Sequence, residues 1–498
     1  MAQQANLSWT QDQFFGGFSD DRFLGIANSF RYAKGVEIRK NPKSLKLAYT
    51  VEKTTSTECD ALANAMVTIQ STGDIIAFLA NGKILRRVAG TGTWTLVYTD
   101  SSARNIMNAI EYNDYLYWFT SQYIHRIAIS DIDASWSGTV TENYKEFTNA
   151  NTIAHPALEN NNKLYIGDGS LLAELDSLMT WTPNKLPIFG DEYIRCITFG
   201  GSMMRIFANK TNKVDAGHKY YWNGSSEAYN EKVFLKQIVH NAINDGGEDY
   251  IVAGMRPYLY ISSGYDLIDL KRLPLVSDNK KCFLSPNSIC FYESLIVIAP
   301  ADTDSDASIG RGAWTYGREN KNYPYSLNFD YPTSNDNTTD VIGCVHNAAG
   351  VLYMSWKKTT TVGEVTTYSY GIDFVNTSKY RATGEVHSRV LYGNRAHREK
   401  ASMITSLSFN ALSAGEKVQV YMRKNLASSW EGTPELSVDY AVEADRGIYS
   451  KSKDVAQDIG DFNFLETKTL LTAGTNQLTT PELIELDIEF DQNIELGD

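Results

Sequence analysis

The chain has 498 residues, of which 43% are hydrophobic and 12% aromatic, and its formal net charge is −13. This acidic total argues against nucleic acid as the main partner, because binding phosphates requires a basic face. Residues 1–6 show no basic region followed by an apolar run, and no apolar stretch approaches the ~18 residues that span a bilayer, so neither a secretory signal nor a membrane span is predicted.

Residues 1–60 are predicted to form an N-terminal arm that ends in a hairpin. The segment 14–22 is polar and glycine-rich around aromatic residues, which is typical of an extended arm lying on another surface. In residues 35–47, apolar and polar residues alternate on both sides of an Asn-Pro turn, which indicates a hairpin. Two interpretations of this segment stay open: a strand closes a ring of repeats against its last member, or the arm docks on a neighbouring subunit.

Residues 61–394 repeat a short apolar strand seven times. The central residues of these strands are 37 to 56 residues apart, with a mean of 46: Ile76, Leu116, Leu164, Met204, Leu259, Ile296 and Leu352. Each repeat offers several strand-like segments, and a β-rich repeat of about 40–50 residues is typical of a propeller blade. We therefore predict an all-β chain with a β-propeller of about seven blades, six to eight being compatible with the uneven spacing.

The two longest gaps between these central residues predict inserted loops at 209–230 and 301–322. Insertions in repeat proteins usually fall on one face and often make the contacts. Aromatic side chains in such loops can stack on sugar rings or anchor a protein interface. The alternative is a strand edge packed inside the blade. The candidate contact residues are Tyr220, Tyr221, Trp222 and Trp314.

The sequence contains no recognisable catalytic signature. Asp302, Asp304 and Asp306 resemble the start of a calcium loop, but Ala307 and Ala313 stand where glycine and glutamate are needed, so a solvated acidic loop is the default. The seven histidines lack zinc-ligand spacing, and no pair of the 59 acidic residues can be chosen as a glycosidase pair. The five cysteines are predicted to be buried thiols. We predict no enzyme activity, no metal and no cofactor.

Residues 395–498 lose the repeat and carry −8 of the net charge. Three segments alternate strictly between apolar and polar residues: 404–409, 417–423 and 483–490. Strict alternation indicates strands with one buried and one solvated face, and about 100 residues of such strands suit a small antiparallel β-sandwich. The predicted domains are therefore an arm with a ring-closing hairpin (1–60), a β-propeller (61–394) and a β-sandwich (395–498).

Three stretches together resemble a group of tailed-bacteriophage virion proteins that pair a β-propeller with a terminal sandwich. They lie at residues 17–21 with 30–42, at 314–324 leading into Leu327-Asn328, and at 418–430 with 480–484. The resemblance implies a structural part of the phage tail (a tail nozzle or tip, or a fibre-attachment part) that holds other virion proteins. It supplies no catalytic residues.

The same resemblance implies a location in the virion, after assembly in the host bacterial cytoplasm, as a cyclic homo-oligomer. A reducing cytoplasm agrees with unpaired thiols. Two other functions are weighed beside this one. The first is a propeller that attaches to a host surface glycan or receptor through the loops around Trp222 and Trp314. The second is a glycosidase, which would need a specific pair of acids.

Overall fold

The computed structural model describes residues 6–19, 23, 28–41, 43–54, 58–132, 136, 139–149, 155–211, 213, 216–254, 257–262, 267–273, 283–302, 311–319, 321–335, 340–391, 400–427, 429–459 and 461–492. The chain divides into two compact units that are discontinuous in sequence, which the boundaries predicted at 60/61 and 394/395 do not anticipate. The propeller unit comprises residues 52–313 and 333–374, and the sandwich unit comprises residues 1–51, 314–332 and 375–498.

Five four-stranded antiparallel sheets follow one another in the propeller unit, and each sheet uses consecutive strands in chain order. We number them blades 1 to 5. Their strands are Ala63–Thr68, Ile75–Leu79, Lys83–Arg87 and Trp94–Thr99; Asn108–Tyr112, Tyr115–Phe119, Tyr123–Ala128 and Thr141–Glu146; Ala157–Asn160, Lys163–Asp168, Leu171–Asp176 and Trp181–Pro187; Glu192–Gly200, Met203–Lys210, Gly217–Trp222 and Glu231–Phe234; and Val239–Asp245, Glu248–Ala253, Tyr258–Ser262 and Ile268–Arg272.

A longer sheet supplies blades 6 and 7. Its strands lie in the order Gly312–Gly317, Leu295–Asp302, Phe283–Tyr292, Asp340–Ala348, Val351–Val362, Val365–Tyr380 and Tyr49–Lys53. A parallel bridge between Asn287 and Cys344 joins the first strand of blade 6 to the first strand of blade 7. The predicted all-β fold with a propeller of about seven blades is confirmed.

The ring closes because the first strand of blade 7, Asp340–Ala348, contacts the first strand of blade 1, Ala63–Thr68. An N-terminal strand completes blade 7, since Tyr49–Lys53 pairs at the outer side of Val365–Tyr380. The predicted hairpin is present just before it, as Val36–Glu37 paired with Lys46–Leu47. The N-terminal strand that joins blade 7 is therefore the one that directly follows the hairpin.

Side chains on the first strands tie neighbouring blades together by donating hydrogen bonds to backbone carbonyl groups of the next blade. Asn64 donates to Ile106 O, Asn108 to His155 O, Arg195 to His240 O, Asn241 to Pro286 O and Ser285 to Ile342 O, at 2.6 to 2.9 Å. Buried carbonyl groups need partners, and these donors satisfy them across five of the seven blade boundaries. The donors recur about every 44 residues, so they mark the repeat more evenly than the apolar strands do.

The turn between the first and second strands of a blade explains why the repeats begin with polar pairs. At Asn161-Asn162 both residues have positive φ, 52° and 57°, and Asn113-Asp114 has 47° and 63°. Two-residue hairpin loops favour this mirror-image turn because its twist matches that of the strands, and asparagine and aspartate tolerate it better than most residues.

One of the seven predicted central residues lies on a different strand from the others. Leu259 belongs to the third strand of blade 5, whereas the second strand is Glu248–Ala253. With Ile251 in its place, the distances from Met204 and to Ile296 become 47 and 45 residues. The apparent long gap after Met204 therefore disappears, and the predicted insertion at 209–230 contains the third strand of blade 4.

The sandwich unit contains two antiparallel sheets of five strands. The first has the order Asn6–Gln11, Leu483–Gln492, Lys400–Phe409 and Ser450–Asp454, with Asp461–Phe462 also pairing with Lys400–Phe409; the second has the order Tyr32–Lys34, Thr383–His387, Leu465–Thr472, Lys417–Lys424 and Leu436–Asp439. Residues 314–317, the end of the strand Gly312–Gly317, also belong to this unit, where Ser326–Pro332 is the neighbouring strand. Three one-turn 3-10 segments, at Ile129–Asp131, Glu443–Asp445 and Thr475–Gln477, and the helix Ala456–Ile459 complete the described elements.

Each sheet of the sandwich unit buries one face, as the alternating sequence predicts. Leu407 and Ile488 of the first sheet and Val418, Val420 and Met422 of the second are fully buried. The N-terminal segment is not a separate arm in its described part, because one of its strands joins each sheet. Asn6–Gln11 pairs with the C-terminal strand Leu483–Gln492, and Tyr32–Lys34 pairs with Thr383–His387.

Candidate functional site

The four aromatic residues predicted to contact a ligand or partner lie on blade strands. Tyr220 and Trp222 are fully buried on Gly217–Trp222, Trp314 is 1% exposed on Gly312–Gly317, and Tyr221 is half-buried. The prediction of exposed aromatic contacts is therefore wrong for Tyr220, Trp222 and Trp314. The alternative weighed beside it, a strand packed inside the blade, describes them.

Buried polar partners hold this strand of blade 4 in place. The Tyr220 hydroxyl donates to Glu192 Oε2 at 2.5 Å, and Lys232 Nζ lies 2.9 Å from Glu192 Oε1. On the other face, Lys219 Nζ lies 2.7 Å from Asp249 Oδ2, and neither side chain is exposed. Burial first, and then the hydrogen bond to Glu192, raises the pKa of Tyr220. These groups stabilise the blade, because each buried charge has an opposite charge beside it.

The stretches that resemble phage virion proteins are far apart in sequence but meet inside the sandwich unit. The ring of Phe18 lies edge-on to Trp314, with 5.9 Å between centroids, and the Phe18 backbone N–H donates to Leu327 O at 2.9 Å. The Asn328 side chain donates to Val36 O at 2.9 Å. Each of these contacts joins the first stretch to the second.

Arg39 is the centre of this meeting point. Its Nη1 donates to Asp330 Oδ2 at 2.9 Å, its Nε donates to Ser326 Oγ at 3.1 Å, and its Nη2 donates to the carbonyl oxygens of Thr315 and Ser326 at 2.9 and 3.0 Å. Both charged side chains of the pair are at most 4% exposed. We call Arg39, Thr315, Ser326 and Asp330 the Arg39 cluster.

A third stretch joins through Glu482, beside the hairpin. Its Oε1 accepts hydrogen bonds from the side chains of Asn41 at 3.0 Å and Ser44 at 2.6 Å, and it lies 3.1 Å from Lys46 Nζ. Its Oε2 accepts from Asn410 Nδ2 at 2.6 Å. Burial alone would raise the pKa of Glu482, but the bonds from Ser44, Lys46 and Asn410 together lower it.

A pocket of about 240 Å³ opens next to this carboxylate, within the sandwich unit. We call it the tyrosine pocket. It is lined by Glu37, Lys40, Asn41, Ser44, Lys46, Leu47, Ala48, Tyr49, Tyr331 and Tyr380. The rings of Tyr49 and Tyr380 stack with 5.5 Å between centroids, and Lys40 Nζ lies 5.0 Å from the centroid of Tyr49. A concave site with aromatic walls and a few fixed polar groups is the usual form of a small-ligand site.

Glu37 lies where the Arg39 cluster and the tyrosine pocket adjoin. Its Oε1 accepts the backbone N–H groups of Arg39 at 2.5 Å and Lys40 at 3.1 Å. Burial, and then the nearby carboxylate of Asp330, raise the pKa of Glu37, while Arg39 opposes the rise. Glu37 can therefore accept hydrogen bonds as a carboxylate or donate one when protonated.

The described residues offer few groups suited to metal binding or to thiol chemistry. No three His, Cys, Asp or Glu side chains of that set are grouped so as to hold a metal ion. Asp304 and Asp306 of the calcium-like loop lie outside it. Cys59, Cys196 and Cys344 are buried free thiols, as predicted, whereas Cys290 is a free thiol that is only half-buried and Cys282 lies outside the described residues. Burial raises the pKa of Cys344 to about 12, which keeps the thiol protonated and unreactive.

Three histidines with a lowered pKa should make the propeller unit sensitive to acid. Burial is the largest cause that lowers the pKa of His125, His240 and His346 from 6.5 to about 4. The unfolded chain therefore takes up protons that the folded unit does not. The stability contributed by these groups is complete above pH 6.5 and is lost as the pH falls towards 4. Asp373 acts in the opposite direction, because burial raises its pKa from 3.8 to about 6.

We expect the free energy of unfolding of the propeller unit to fall by roughly 2–3 kcal/mol between about pH 7.5 and about pH 5.5. Urea unfolding at both pH values, followed by hydrogen exchange of the blade strands, measures this. His346→Gln should make the fall shallower, and Asp373→Asn should make it steeper. Equal stability at the two pH values would contradict the expectation.

No protein-family model matches the sequence, and neither does any curated protein at a significant level. Among solved structures, the chain is similar to one described as YCF48 bound to D1 peptide, with 9% identity, a TM-score of 0.43, and coverage of 66% of this chain and 96% of that one. It is also similar to Raptor from Chaetomium thermophilum, with 11% identity, a TM-score of 0.45, and coverage of 66% and 30%. Neither likeness bears on the function of this chain.

None of the helices in the described part of the chain has the length and apolar character needed to cross a membrane.

Proposed function

We propose that the chain is a structural, non-enzymatic component of a tailed-phage virion, built into the tail where it holds other virion proteins. The observation that carries this proposal is the meeting of the three phage-like stretches in one unit. A resemblance that rests on separate motifs is a stronger support for a shared role when the residues of those motifs contact one another. They then belong to one structural site.

The chemistry of the Arg39 cluster also favours a structural role. The Arg39 cluster is buried, and its donors are directed at backbone carbonyl groups and at one carboxylate. A buried guanidinium in such a site fixes the geometry of the surrounding segments. Arg39 holds residues 315, 326 and 330 in this way, and separate hydrogen bonds join Phe18 to Leu327 and Val36 to Asn328, which suits a part that must keep its shape under assembly contacts.

The most direct test is the content of purified particles. Mass spectrometry of the virions should recover the chain at a fixed small number of copies per particle, and electron microscopy with a labelled chain should place it in the tail. Absence of the chain from purified particles, with the protein recovered only in the cell lysate, would contradict the proposal.

A deletion tests the assembly role of the N-terminal segment. Removing residues 1–11 should reduce incorporation into particles to background, because it takes the edge strand Asn6–Gln11 from the first sheet of the sandwich unit. The blades should keep their hydrogen-exchange protection. Thr10→Ala is the matched control, since it removes one side-chain hydrogen bond to Asp487 and keeps the strand. Normal incorporation of a chain lacking residues 1–11 would contradict the prediction.

A further inference from the structure

We propose that the tyrosine pocket binds one pyranose ring, either a free monosaccharide or the end of a glycan chain. The proposal goes beyond the structural role and does not depend on it, since the pocket lies in a single unit of the chain.

The size of the pocket favours a single ring. Its volume of about 240 Å³ far exceeds the space of one water molecule. It is also below the range of roughly 300–1,000 Å³ that pockets for drug-sized ligands occupy. An oligosaccharide could therefore place only its terminal residue inside.

The walls match the two kinds of surface that a pyranose presents. Tyr49 and Tyr380 are both partly exposed and stack on each other, which holds their rings in one orientation. Leu47 and Ala48 add further apolar surface. The C–H face of a sugar ring packs on such a wall, and aromatic side chains carry a polar hydroxyl that can bond at the rim.

The polar lining is held in place before any ligand arrives. Asn41, Ser44 and Lys46 all bond to the same oxygen of Glu482, so their positions are coupled. One oxygen of Glu37 is bound by two backbone N–H groups, which fixes the orientation of its carboxyl group. Fixed donors and acceptors lower the entropy lost on binding, and a polyol needs both kinds.

The charges in the pocket distinguish a sugar from an anion. Lys46 lies 3.1 Å from Glu482, and Lys40 follows Glu37 closely in the hairpin and donates its backbone N–H to that carboxylate. The lining therefore contains Lys46, whose ammonium group lies beside the Glu482 carboxylate, and the carboxyl group of Glu37. An anion such as phosphate would meet those carboxylates, whereas a neutral ring with many hydroxyl groups would not be repelled.

Saturation-transfer NMR on the full chain tests the proposal, with glucose, galactose, mannose, N-acetylglucosamine and rhamnose as separate probes at millimolar concentration. We expect at least one pyranose to show saturation transfer and the open-chain polyol sorbitol to show none, and we expect titration calorimetry with inorganic phosphate to show no binding. Tyr49→Ala should weaken the binding by about tenfold or more. Tyr449→Ala is the matched control, because Tyr449 is an exposed tyrosine of the same unit outside the pocket, and it should leave binding unchanged.

Folding of the variants is checked by hydrogen exchange of the sandwich strands. If Tyr49→Ala disturbs the fold, Lys46→Ala is the variant that tests binding in the pocket. The ammonium group of Lys46 is partly exposed, and this change leaves the aromatic wall intact. Saturation transfer to no pyranose, binding that is equal in wild type and the folded pocket variants, or binding of phosphate in place of a sugar would each overturn the proposal. Particle composition would be unaffected by any of these results, so the structural proposal is tested separately.

Discussion

Replacing Arg39 by alanine is expected to lower the free energy of unfolding of the sandwich unit by about 3–5 kcal/mol. The loss is large because Asp330 would remain buried without a positive partner, and two backbone carbonyl groups would lose their donor. Urea unfolding, followed by hydrogen exchange of Lys417–Lys424 and Leu465–Thr472, measures it. Exchange in the blade strands provides a separate readout of the propeller unit.

Two further variants separate charge burial from packing in this prediction. Lys46→Ala removes a partly exposed ion pair of the same unit and should cost less than about 1 kcal/mol. The double replacement Arg39→Met with Asp330→Leu removes both charges and should recover part of the loss. If the free energy of unfolding of Arg39→Ala lies within about 1 kcal/mol of the wild-type value, the Arg39 cluster does not hold the unit together.

Replacing Trp222 by alanine is expected to destabilise the propeller unit by about 3–5 kcal/mol. The indole is fully buried, lies edge-on to Tyr165 at 5.6 Å, and donates from Nε1 to Ser226 O at 2.9 Å. Alanine would leave a cavity and an unsatisfied carbonyl group. Hydrogen exchange in blades 3 and 4 should rise first, because Tyr165 and Trp222 join these two blades.

The controls for Trp222→Ala also distinguish a buried packing role of Trp222 from a surface-contact role. Trp222→Phe should lose less stability, since it keeps most of the ring volume. Leu178→Ala, at a side chain that is 85% exposed in blade 3, should change stability by no more than about 0.5 kcal/mol. A Trp222→Ala protein with native stability and reduced binding to a host surface would contradict the burial argument and favour the contact role.

Most of the fold could be predicted from the sequence, because two independent patterns of residues mark the repeat. The second strands are apolar, and the turns before several of them carry residues that accept positive φ, as at Asn113-Asp114 and Asn161-Asn162. The blade count was uncertain because Leu259, in a third strand, resembles the second strands in composition. The sandwich strands were readable because each buries alternate side chains.

The site could not be predicted in the same way. Tyr220 to Trp222 follow a polar stretch that reads as a long loop, although part of that stretch forms the turn between two blade strands. The tyrosine pocket combines residues 37–49 with Tyr331 and Tyr380, which are 282 to 343 residues further along the chain. No pattern among neighbouring residues of the sequence indicates that these distant residues line one pocket. The regular donors Asn64, Asn108 and Asn241 were a signal that could have been found, because their separations, 44 and 133 residues, are close to one and three repeat lengths.

The pairing of Asn6–Gln11 with Leu483–Gln492 has a consequence for biosynthesis. A ribosome releases the first of these strands long before it makes the second, so the first sheet of the sandwich unit is incomplete through almost all of translation. A chain cut short before residue 483 would present an unpaired strand edge, which invites aggregation or proteolysis. Full-length synthesis is thus a condition for hiding that edge, and prematurely terminated chains would be exposed to aggregation or proteolysis.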